Sequence, residues 1–266
     1  MAKKRLDIYI HETFEIDSRQ LAQNYIIQGF IKVNGKEERK PGYYVKPDDQ
    51  ITAEIPKKQF VSRGGIKLAH ALDEFDIKPN NYICIDAGAS TGGFTDCLLQ
   101  RGAEKVYAVD VGKGQLDWSL RQNNRVVVIE DFNIRYIDSS TIPEQVDLIT
   151  IDISFISINL ALPPLSNLLK ENGIIVSLVK PQFEAGKGKT VKGVVKDKKI
   201  HVSVLENAVI YGKNAGLYPV KCTWSPIKGP SGNIEFLMLY SKSEAENLCD
   251  CSQTVENAWK FFEDKK

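Results

Sequence analysis

The sequence predicts an α/β protein with a mostly parallel, seven-stranded sheet, preceded by a small α+β domain. Seven short runs rich in β-branched and apolar residues alternate with helical stretches, and charged residues stand where several of these runs end. A change of composition near residues 56–58 predicts a domain boundary. We therefore expect a small domain over 1–59, a large domain over 60–244 and a helical tail over 245–266.

Composition limits the possible function classes. The 266 residues include 35 Lys and Arg against 34 Asp and Glu, a formal net charge of +1, so any nucleic-acid surface must be a local patch. No apolar run approaches the ~18 residues that cross a bilayer, and the first residues lack the apolar stretch of a signal peptide. We expect a cytoplasmic protein that does not enter membranes. With three histidines and five cysteines lacking a CxxC pair, we expect reduced thiols and no metal site.

The small domain is predicted to place a helix before a small sheet. Residues 17–18 are typical of a helix N-cap, apolar residues within 21–26 recur at helical spacing, and Gly29 is a stop signal. Asn34-Gly35 is a strong hairpin signal, and apolar residues alternate again over 51–55.

The same segment carries basic residues that are candidates for binding RNA, namely Arg19, Lys32, Arg39 and Lys40. Acidic residues are interspersed, so charge alone favours a solvated surface. The order of elements changes this interpretation, because residues 18–35 resemble the RNA-binding module named after small-subunit ribosomal protein four. That resemblance implies binding to structured RNA.

The large domain begins its predicted sheet at residue 82. The seven predicted strands are 82–86, 105–110, 126–130, 148–152, 174–179, 218–223 and 234–241. Ligands bind beyond the carboxyl ends of the strands in such sheets. Charged residues fall at five of these ends, namely Asp86, Asp110, Asp131, Asp152 and Lys180.

A glycine-rich turn at residues 86–95 follows the first predicted strand and opens a helix. Its spacing is not G-x-G-x-x-G, and Asp86 would repel a pyrophosphate, so a cationic cofactor, S-adenosylmethionine, fits better than a dinucleotide. Asp110 is suitably placed to accept hydrogen bonds from ribose hydroxyls. The predicted cofactor-binding residues are Asp86, Gly88, Ser90, Thr91, Gly92, Gly93, Phe94, Asp110, Asp131, Phe132 and Asp152.

Four residues stand in motifs that carry a specific resemblance: Lys67, Asp152, Lys180 and Glu235. Their contexts look like the Lys-Asp-Lys-Glu tetrad of the FtsJ-like ribose methyltransferases, and the chain resembles the TlyA (haemolysin A) family nearly end to end. The resemblance implies a Rossmann-like class I methyltransferase fold. It also implies S-adenosylmethionine-dependent methylation of cytidine ribose 2′-hydroxyls in ribosomal RNA of the large subunit and, in some members, the small subunit.

The four residues suggest a mechanism for that reaction. Lys180 is the candidate that orients and deprotonates the ribose hydroxyl, with Lys67 nearby as a second cation. Asp152 would hold one lysine beside the methyl donor, and Glu235 would orient the other. As single residues, all four are equally consistent with ordinary surface salt bridges.

Four further residues of the large domain are candidates for RNA contact. Arg63 lies in the motif of Lys67, and Phe155 either stacks on a flipped base or belongs to the core. Lys187 and Lys189 lie in a glycine-rich loop that either closes over phosphates or is merely solvated. The expected partners are ribosomal RNA or ribosomal subunits, and nothing in the sequence demands more than a monomer.

Three other functions are compatible with parts of the sequence. One alternative is an RNA-binding ribosome-assembly factor with a silent methyltransferase fold. The intact tetrad and the acidic strand ends disfavour it. A membrane-lytic protein would need a span, an export signal or a cationic amphipathic helix. A Rossmann oxidoreductase would need the G-x-G-x-x-G spacing that is missing here.

Overall fold

The computed structural model describes residues 4–14, 16, 18–54 and 59–264, and the chain divides into two compact units, Met1–Lys58 and Gln59–Lys266. Three sequence-based predictions lie outside the described residues. They concern Asp17 in the N-cap, Ile55 in the last small strand and the composition change at 56–58.

The N-terminal unit packs two helices on short strands. Its elements are β1 (Lys4–Arg5), α1 (Leu6–Thr13), α2 (Arg19–Ile27), β2 (Ile31–Val33), β3 (Lys36–Glu37), β4 (Tyr44–Val45) and β5 (Ile51–Ala53). Strand β1 pairs with β4, and the order of the second sheet is β3-β2-β5. The buried side chains of Leu6, Ile10, Ala22, Ile26 and Ile31 form its core. Sequence reasoning located α2 and missed α1 and β1.

The predicted start and turn signals of this unit are confirmed. Ser18 is the N-cap of α2, where its side chain accepts a hydrogen bond from Leu21 N at 3.2 Å. Val33 faces Lys36 in the β2–β3 pair, which leaves Asn34 and Gly35 as a two-residue turn. Their φ angles of 53° and 78° are those of a type I′ hairpin turn.

The second unit contains a seven-stranded sheet with helices on both faces. Its strands are β6 (Ile83–Ala87), β7 (Lys105–Val109), β8 (Val126–Ile129), β9 (Val146–Ile151), β10 (Leu169–Val179), β11 (Tyr218–Trp224) and β12 (Phe236–Ser241). Its helices are α3 (Gly64–Glu74), α4 (Gly93–Gln100), α5 (Trp118–Arg121), α6 (Leu162–Ser166), α7 (Pro181–Glu184), α8 (Lys198–Asn214) and α9 (Cys251–Glu263). Short 3₁₀ helices cover Ile134–Tyr136 and Ile158–Leu160.

The strand order is β11-β12-β10-β9-β6-β7-β8, and β12 runs antiparallel to both of its neighbours. The predicted mostly parallel, seven-stranded sheet is therefore confirmed. Strand order reverses between β6 and β9, so a crevice opens at their carboxyl ends, where ligands bind in folds of this kind. Apolar side chains cover both faces of the sheet and form its two cores.

Two elements of this unit differ from the sequence-based expectation or extend it. Strand β10 begins at Leu169, five residues before the predicted start, because an irregular stretch continues its pairing with β9. The C-terminal helix α9 packs on α8, where Trp259 Nε1 donates to His201 Nδ1 at 3.0 Å. Over the described part of the chain, no helix is long and apolar enough to cross a membrane.

Candidate active site

The glycine-rich turn joins β6 to α4 and makes a close backbone contact. Gly88 has a φ of +88°, and a Cβ atom there would lie 2.6 Å from the carbonyl oxygen of Asp152. Any larger residue would push apart the ends of β6 and β9, which are neighbouring strands. The position where a side chain would stand is thus filled by the neighbouring strand end, and only glycine allows this close approach.

Asp110 follows β7 and fastens the turn to the neighbouring strand end. Its carboxylate accepts hydrogen bonds from the backbone N–H groups of Ser90 at 2.8 Å and Gly112 at 2.6 Å. Each carboxylate oxygen has a second lone pair, so Asp110 can also accept hydrogen bonds from a ligand.

Two adjoining cavities open at this edge of the sheet. The first, of about 400 Å³, is called the turn cavity and is lined by residues that include Gly88, Ser90, Asp110, Phe132, Asn133, Asp152 and Phe155. The second, of about 370 Å³, is called the tetrad cavity and is lined by residues that include Arg63, Lys67, Thr91, Gly93, Phe94, Lys180 and Glu235. The two share Gly88, Ser90, Asp152 and Ser154.

Lys180 and Asp152 form an ion pair where the cavities meet. Asp152 follows β9, Lys180 follows β10, and Lys180 Nζ lies 2.6 Å from Asp152 Oδ1. Lys180 Nζ also donates to Ser154 Oγ at 2.8 Å. Both charged side chains keep some exposure, 12% and 22%. The ammonium group is thus held by two oxygens and remains reachable from the tetrad cavity.

Lys67 and Glu235 form a second ion pair that is almost sealed. Lys67 lies on α3 and Glu235 directly precedes β12, and their side chains are only 6% and 1% exposed. Lys67 Nζ donates to Glu235 Oε2 at 2.5 Å. The structure thus brings all four tetrad residues to the lining of one cavity and pairs each lysine with one carboxylate.

Asp86 does not reach either cavity, which corrects the expectation that it contacts the cofactor directly. It lies inside β6 rather than beyond its end, has no exposed surface, and accepts hydrogen bonds from Thr95 Oγ1 at 2.7 Å and Thr150 Oγ1 at 3.2 Å. Burial raises the pKa of the Asp86 carboxyl to about 7, although these hydrogen bonds lower it. The nearby negative charge of Asp152 adds to the rise. The carboxylates that line the turn cavity are those of Asp110 and Asp152.

Two other predicted cofactor residues also lie outside both cavities. Asp131 is exposed and follows β8. Gly92 has a φ of +94°, and a Cβ atom there would lie 2.2 Å from Leu120 Cδ1, so packing against α5 requires this glycine. The remaining residues of the predicted set line one cavity or both.

The predicted RNA-contact residues are scattered over different environments. Phe155 is 87% exposed at the turn cavity, which excludes a role in the core, and its ring lies 5.3 Å from that of Phe183. Arg63 lines the tetrad cavity. Lys187 and Lys189 are exposed on the loop after α7 and line neither cavity.

In the N-terminal unit, three of the four basic candidates are engaged with carboxylates. Arg19 donates to buried Asp7, Lys32 to Glu54 and Arg39 to Glu37. The side chain of Arg19 is still half exposed. Lys40 is exposed as well.

Sequence reasoning missed several lining residues because they carry no charge or belong to another strand end. Ser154 holds Lys180, and Phe183 pairs with Phe155. Gln182 also lines the tetrad cavity, and its buried Oε1 has no hydrogen-bond partner. A glycine-rich turn and charged strand ends are visible in the sequence and signal a site. The contacts of these uncharged residues depend on how the strands pair and are visible only in the structure.

Comparison with known proteins agrees with this geometry. The model of the FtsJ-like methyltransferases matches residues 60–242, and that of the S4 domain matches residues 4–51. Hemolysin A of Brachyspira hyodysenteriae is 44% identical over 88% of this chain and 98% of its own length. The 16S/23S rRNA (cytidine-2′-O)-methyltransferase TlyA of Mycobacterium tuberculosis is 42% identical over 83% of both chains.

A solved structure extends this likeness to the whole chain. It is the structure of a hemolysin-like protein from Streptococcus thermophilus, with 38% identity, a TM-score of 0.78, and coverage of 99% of this chain and 98% of that chain. The chain belongs to the FtsJ-like methyltransferase family, in the TlyA (haemolysin A) group, and carries an S4 domain at its N-terminus.

Proposed function

We propose that the protein transfers a methyl group from S-adenosylmethionine to the ribose 2′-hydroxyl of cytidine in ribosomal RNA, in the cytoplasm. One observation carries the proposal. Lys180 lines the tetrad cavity and is held by Asp152 and Ser154, which line both cavities, so a candidate base lies beside the turn cavity, where the cofactor would bind.

The residues of the turn cavity fit S-adenosylmethionine, which supplies a methyl group on a positively charged sulfur. Asp110 would accept hydrogen bonds from the ribose hydroxyls with the lone pairs that Ser90 and Gly112 leave free. Asp152 would face the cationic part of the cofactor. Gly88 offers a bare backbone, and Phe132 an apolar wall, to the remainder of the cofactor.

In the transfer step, Lys180, after losing its own proton to solvent, would orient the 2′-hydroxyl in line with the methyl carbon. It would take the hydroxyl proton as the new C–O bond forms and the methyl–sulfur bond breaks, which leaves a neutral thioether. The proton would leave Lys180 positively charged, 2.6 Å from the carboxylate of Asp152. That carboxylate would stabilise the charge within a largely enclosed site.

The sealed pair would serve a different purpose. Lys67 and Glu235 line the same cavity, but their near-complete burial leaves little freedom to move a proton to or from solvent. We assign them to positioning, with Lys67 as a fixed positive charge facing the RNA phosphate or hydroxyl.

RNA would be held by both units. The S4 domain would dock structured rRNA through Lys40 together with Arg19, Lys32 and Arg39, which would exchange their carboxylate partners for phosphates. In the large unit, Arg63, Phe155, Lys187 and Lys189 would contact the nucleotides around the target. The exposed Phe155 ring offers a stacking face for the flipped base.

The Mycobacterium tuberculosis relative supports the choice of substrate, because it is a 16S/23S rRNA (cytidine-2′-O)-methyltransferase. The test is transfer of labelled methyl from S-adenosylmethionine to unmodified large and small ribosomal subunits, with the modified position then mapped on the RNA. We expect label in a cytidine 2′-O-methyl group on the large subunit, and the map shows whether the small subunit is modified as well.

The Lys180→Ala protein is the control in this test, and it should transfer no label. Absence of label on both subunits despite measurable cofactor binding would reject the proposed reaction. It would favour an RNA-binding assembly factor whose methyltransferase fold is silent.

A further inference from the structure

Three of the five cysteines lie together, away from both cavities. Cys222 lies on β11 at the edge of the sheet, Cys249 in the segment before α9, and Cys251 at the first position of α9. In the sequence these residues are separated by up to 29 positions, so only the fold brings them together. The segment before α9 is tied to the edge strand, because Leu248 N donates to Val220 O at 2.8 Å.

Side-chain contacts bring these cysteines to neighbouring positions beside Met238 and Thr254. Cys222 is directly opposite Met238 in the β11–β12 pair, and Cys249 Sγ lies 3.5 Å from the sulfur of Met238. Cys222 Sγ also lies 3.2 Å from Thr254 Oγ1, one turn along α9 from Cys251. Residues three apart on a helix share a face, so Cys251 points towards the same sulfur as Thr254 does.

The three thiols differ in character. Hydrogen bonds from the thiols of Cys249 and Cys251, the first being the larger effect, lower the pKa of Cys222 and outweigh the effect of its burial. The same hydrogen bonds raise the pKa values of Cys249 and Cys251. Cys222 and Cys249 are partly exposed. The two remaining cysteines are buried in the core, where burial raises the pKa of Cys97 to about 12 and that of Cys84 as well. The thiolate is the reactive form. Cys222 is partly exposed on the edge strand and is therefore our candidate for the reactive thiol among the five.

We propose that Cys222 and Cys249 form a thiol-oxidation site, at which a hydroperoxide converts the pair into a disulfide. The Cys222 thiolate attacks the peroxide, the O–O bond breaks, and Cys222 becomes a sulfenic acid while the leaving oxygen takes a proton as alcohol or water. The sulfur of Cys249 then attacks the sulfenic sulfur, and water leaves as the S–S bond forms. Two thiols and one hydroperoxide thus give one disulfide, one alcohol (or water) and one water.

Cys249 is the better resolving partner for geometric reasons. Cys251 belongs to the first turn of α9, which Asp250 caps by accepting from Gln253 N at 2.8 Å, so its backbone is fixed. Cys249 precedes that cap in a non-helical segment and can adjust to the geometry that a disulfide requires. The new bond would fasten the start of α9 covalently to the sheet edge.

The cysteine group is not assigned to a metal. Within the residues that the structure describes, no set of three or more His, Cys, Asp or Glu side chains is arranged to hold a metal ion. The cluster also lies apart from the methyl-transfer residues, since none of the three cysteines lines either cavity. Its oxidation can therefore be followed independently of the proposed reaction.

The experiment treats the full-length, fully reduced protein with hydrogen peroxide, alkylates the remaining thiols after denaturation, and maps the non-reduced peptides by mass spectrometry. We expect a linked Cys222–Cys249 peptide that is about 2 Da lighter than its two thiol peptides. Cys84 and Cys97 should be recovered alkylated, as internal controls. A peptide that links Cys222 to Cys251, or equal oxidation of all five cysteines, would overturn the assignment.

Three variants test the separate roles. Cys222→Ser should slow consumption of peroxide by at least about tenfold, because the thiolate is removed. Cys249→Ser should leave a Cys222 sulfenic acid that dimedone traps. Cys251→Ser is the matched control and should form the disulfide at the rate of the unaltered protein; loss of the disulfide in this variant would contradict the choice of Cys249.

Discussion

The two lysine–carboxylate pairs of the tetrad carry the same charges but lie in different surroundings. Lys67 and Glu235 are 6% and 1% exposed, whereas Lys180 and Asp152 are 12% and 22% exposed, and Asp152 lines both cavities. A sealed pair is costly to break and poorly suited to exchange protons. An accessible pair can separate and can exchange protons. Under the proposed function, this difference assigns Lys67 and Glu235 to holding the site in shape and Lys180 and Asp152 to the reaction.

The strongest test of this division removes the accessible lysine. Lys180→Ala should lower the rate of methyl transfer by about 10²- to 10⁴-fold, as expected for loss of a general base, and should leave cofactor affinity nearly intact. Single-turnover transfer of labelled methyl and calorimetric titration with S-adenosylmethionine measure the two quantities.

The matched control for this variant is Lys170→Ala. Lys170 is also paired with a carboxylate, 2.7 Å from Asp147, but it lines neither of the two cavities. Its removal should leave transfer unchanged. If Lys180→Ala lost cofactor binding and transfer together, Lys180 would have a structural role and the comparison would fail.

The sealed pair should appear in stability rather than in chemistry. Glu235→Ala leaves the Lys67 ammonium buried without a partner, so the free energy of unfolding should fall by about 3–5 kcal/mol. Replacing both residues, as in Lys67→Met with Glu235→Leu, should recover much of that loss. Denaturant titration of the full chain gives these values.

An exposed pair provides the control for this second prediction. Lys198 and Glu256 lie 2.9 Å apart on the surface, with side chains 41% and 61% exposed. Glu256→Ala should cost at most about 1 kcal/mol. Equal costs for Glu256→Ala and Glu235→Ala would show that Lys67 and Glu235 are not sealed in solution.

A third prediction concerns Asp110, which lines the turn cavity together with Asp152 of the accessible pair. Asp110→Asn removes a charged acceptor from the turn cavity, and we expect affinity for S-adenosylmethionine to fall about 10- to 100-fold. Asp138→Asn is the control, because Asp138 is exposed, accepts hydrogen bonds from Ser140 and Thr141, and lines neither cavity. Unchanged affinity in Asp110→Asn would remove Asp110 from the cofactor site.

The smallest effect is expected in the N-terminal unit, which has its own buried carboxylate, Asp7. Burial opposes its charge, but hydrogen bonds from Arg5, Gln23 and Arg19 outweigh burial and lower the pKa of the carboxyl. A lowered folded-state pKa contributes stability above the unfolded value of 3.8, and that stability is lost as pH falls through the folded value.

Arg19→Ala should therefore destabilise this unit by about 1 kcal/mol at neutral pH, since the guanidinium is half exposed. The deficit should shrink as pH is lowered well below 4, where Asp7 becomes protonated. Hydrogen exchange of the α1 amides measures it in the full chain. Arg39→Ala, which breaks an exposed pair with Glu37, is the control and should leave these amides unaffected.

Much of the fold followed from local sequence signals. Each strand of the large sheet is a run of β-branched and apolar residues bounded by turn residues, so its place along the chain could be predicted. The hairpin at Asn34-Gly35 was predictable for the same reason, because only a few residues adopt its left-handed angles readily. The antiparallel direction of β12 and the early start of β10 depend on partner strands and could not be predicted.

The site was predictable in composition but less so in geometry. Motifs identified the tetrad, but only strand order determines that Asp152 pairs with Lys180 and Glu235 with Lys67. Asp86 shows where local reasoning fails. Its acidic side chain suggested a ligand, yet Thr95 and Thr150, which lie 9 and 64 positions away, enclose it within the sheet.

The separation of 168 positions between Lys67 and Glu235 has a consequence for how the chain is made. At roughly 5–20 residues per second, a ribosome needs on the order of 8–34 s to extend the chain from one to the other. During that interval the N-terminal unit, which folds around its own core, is already complete. A nascent chain can therefore acquire its S4 domain well before Glu235, just ahead of β12, is made and can pair with Lys67.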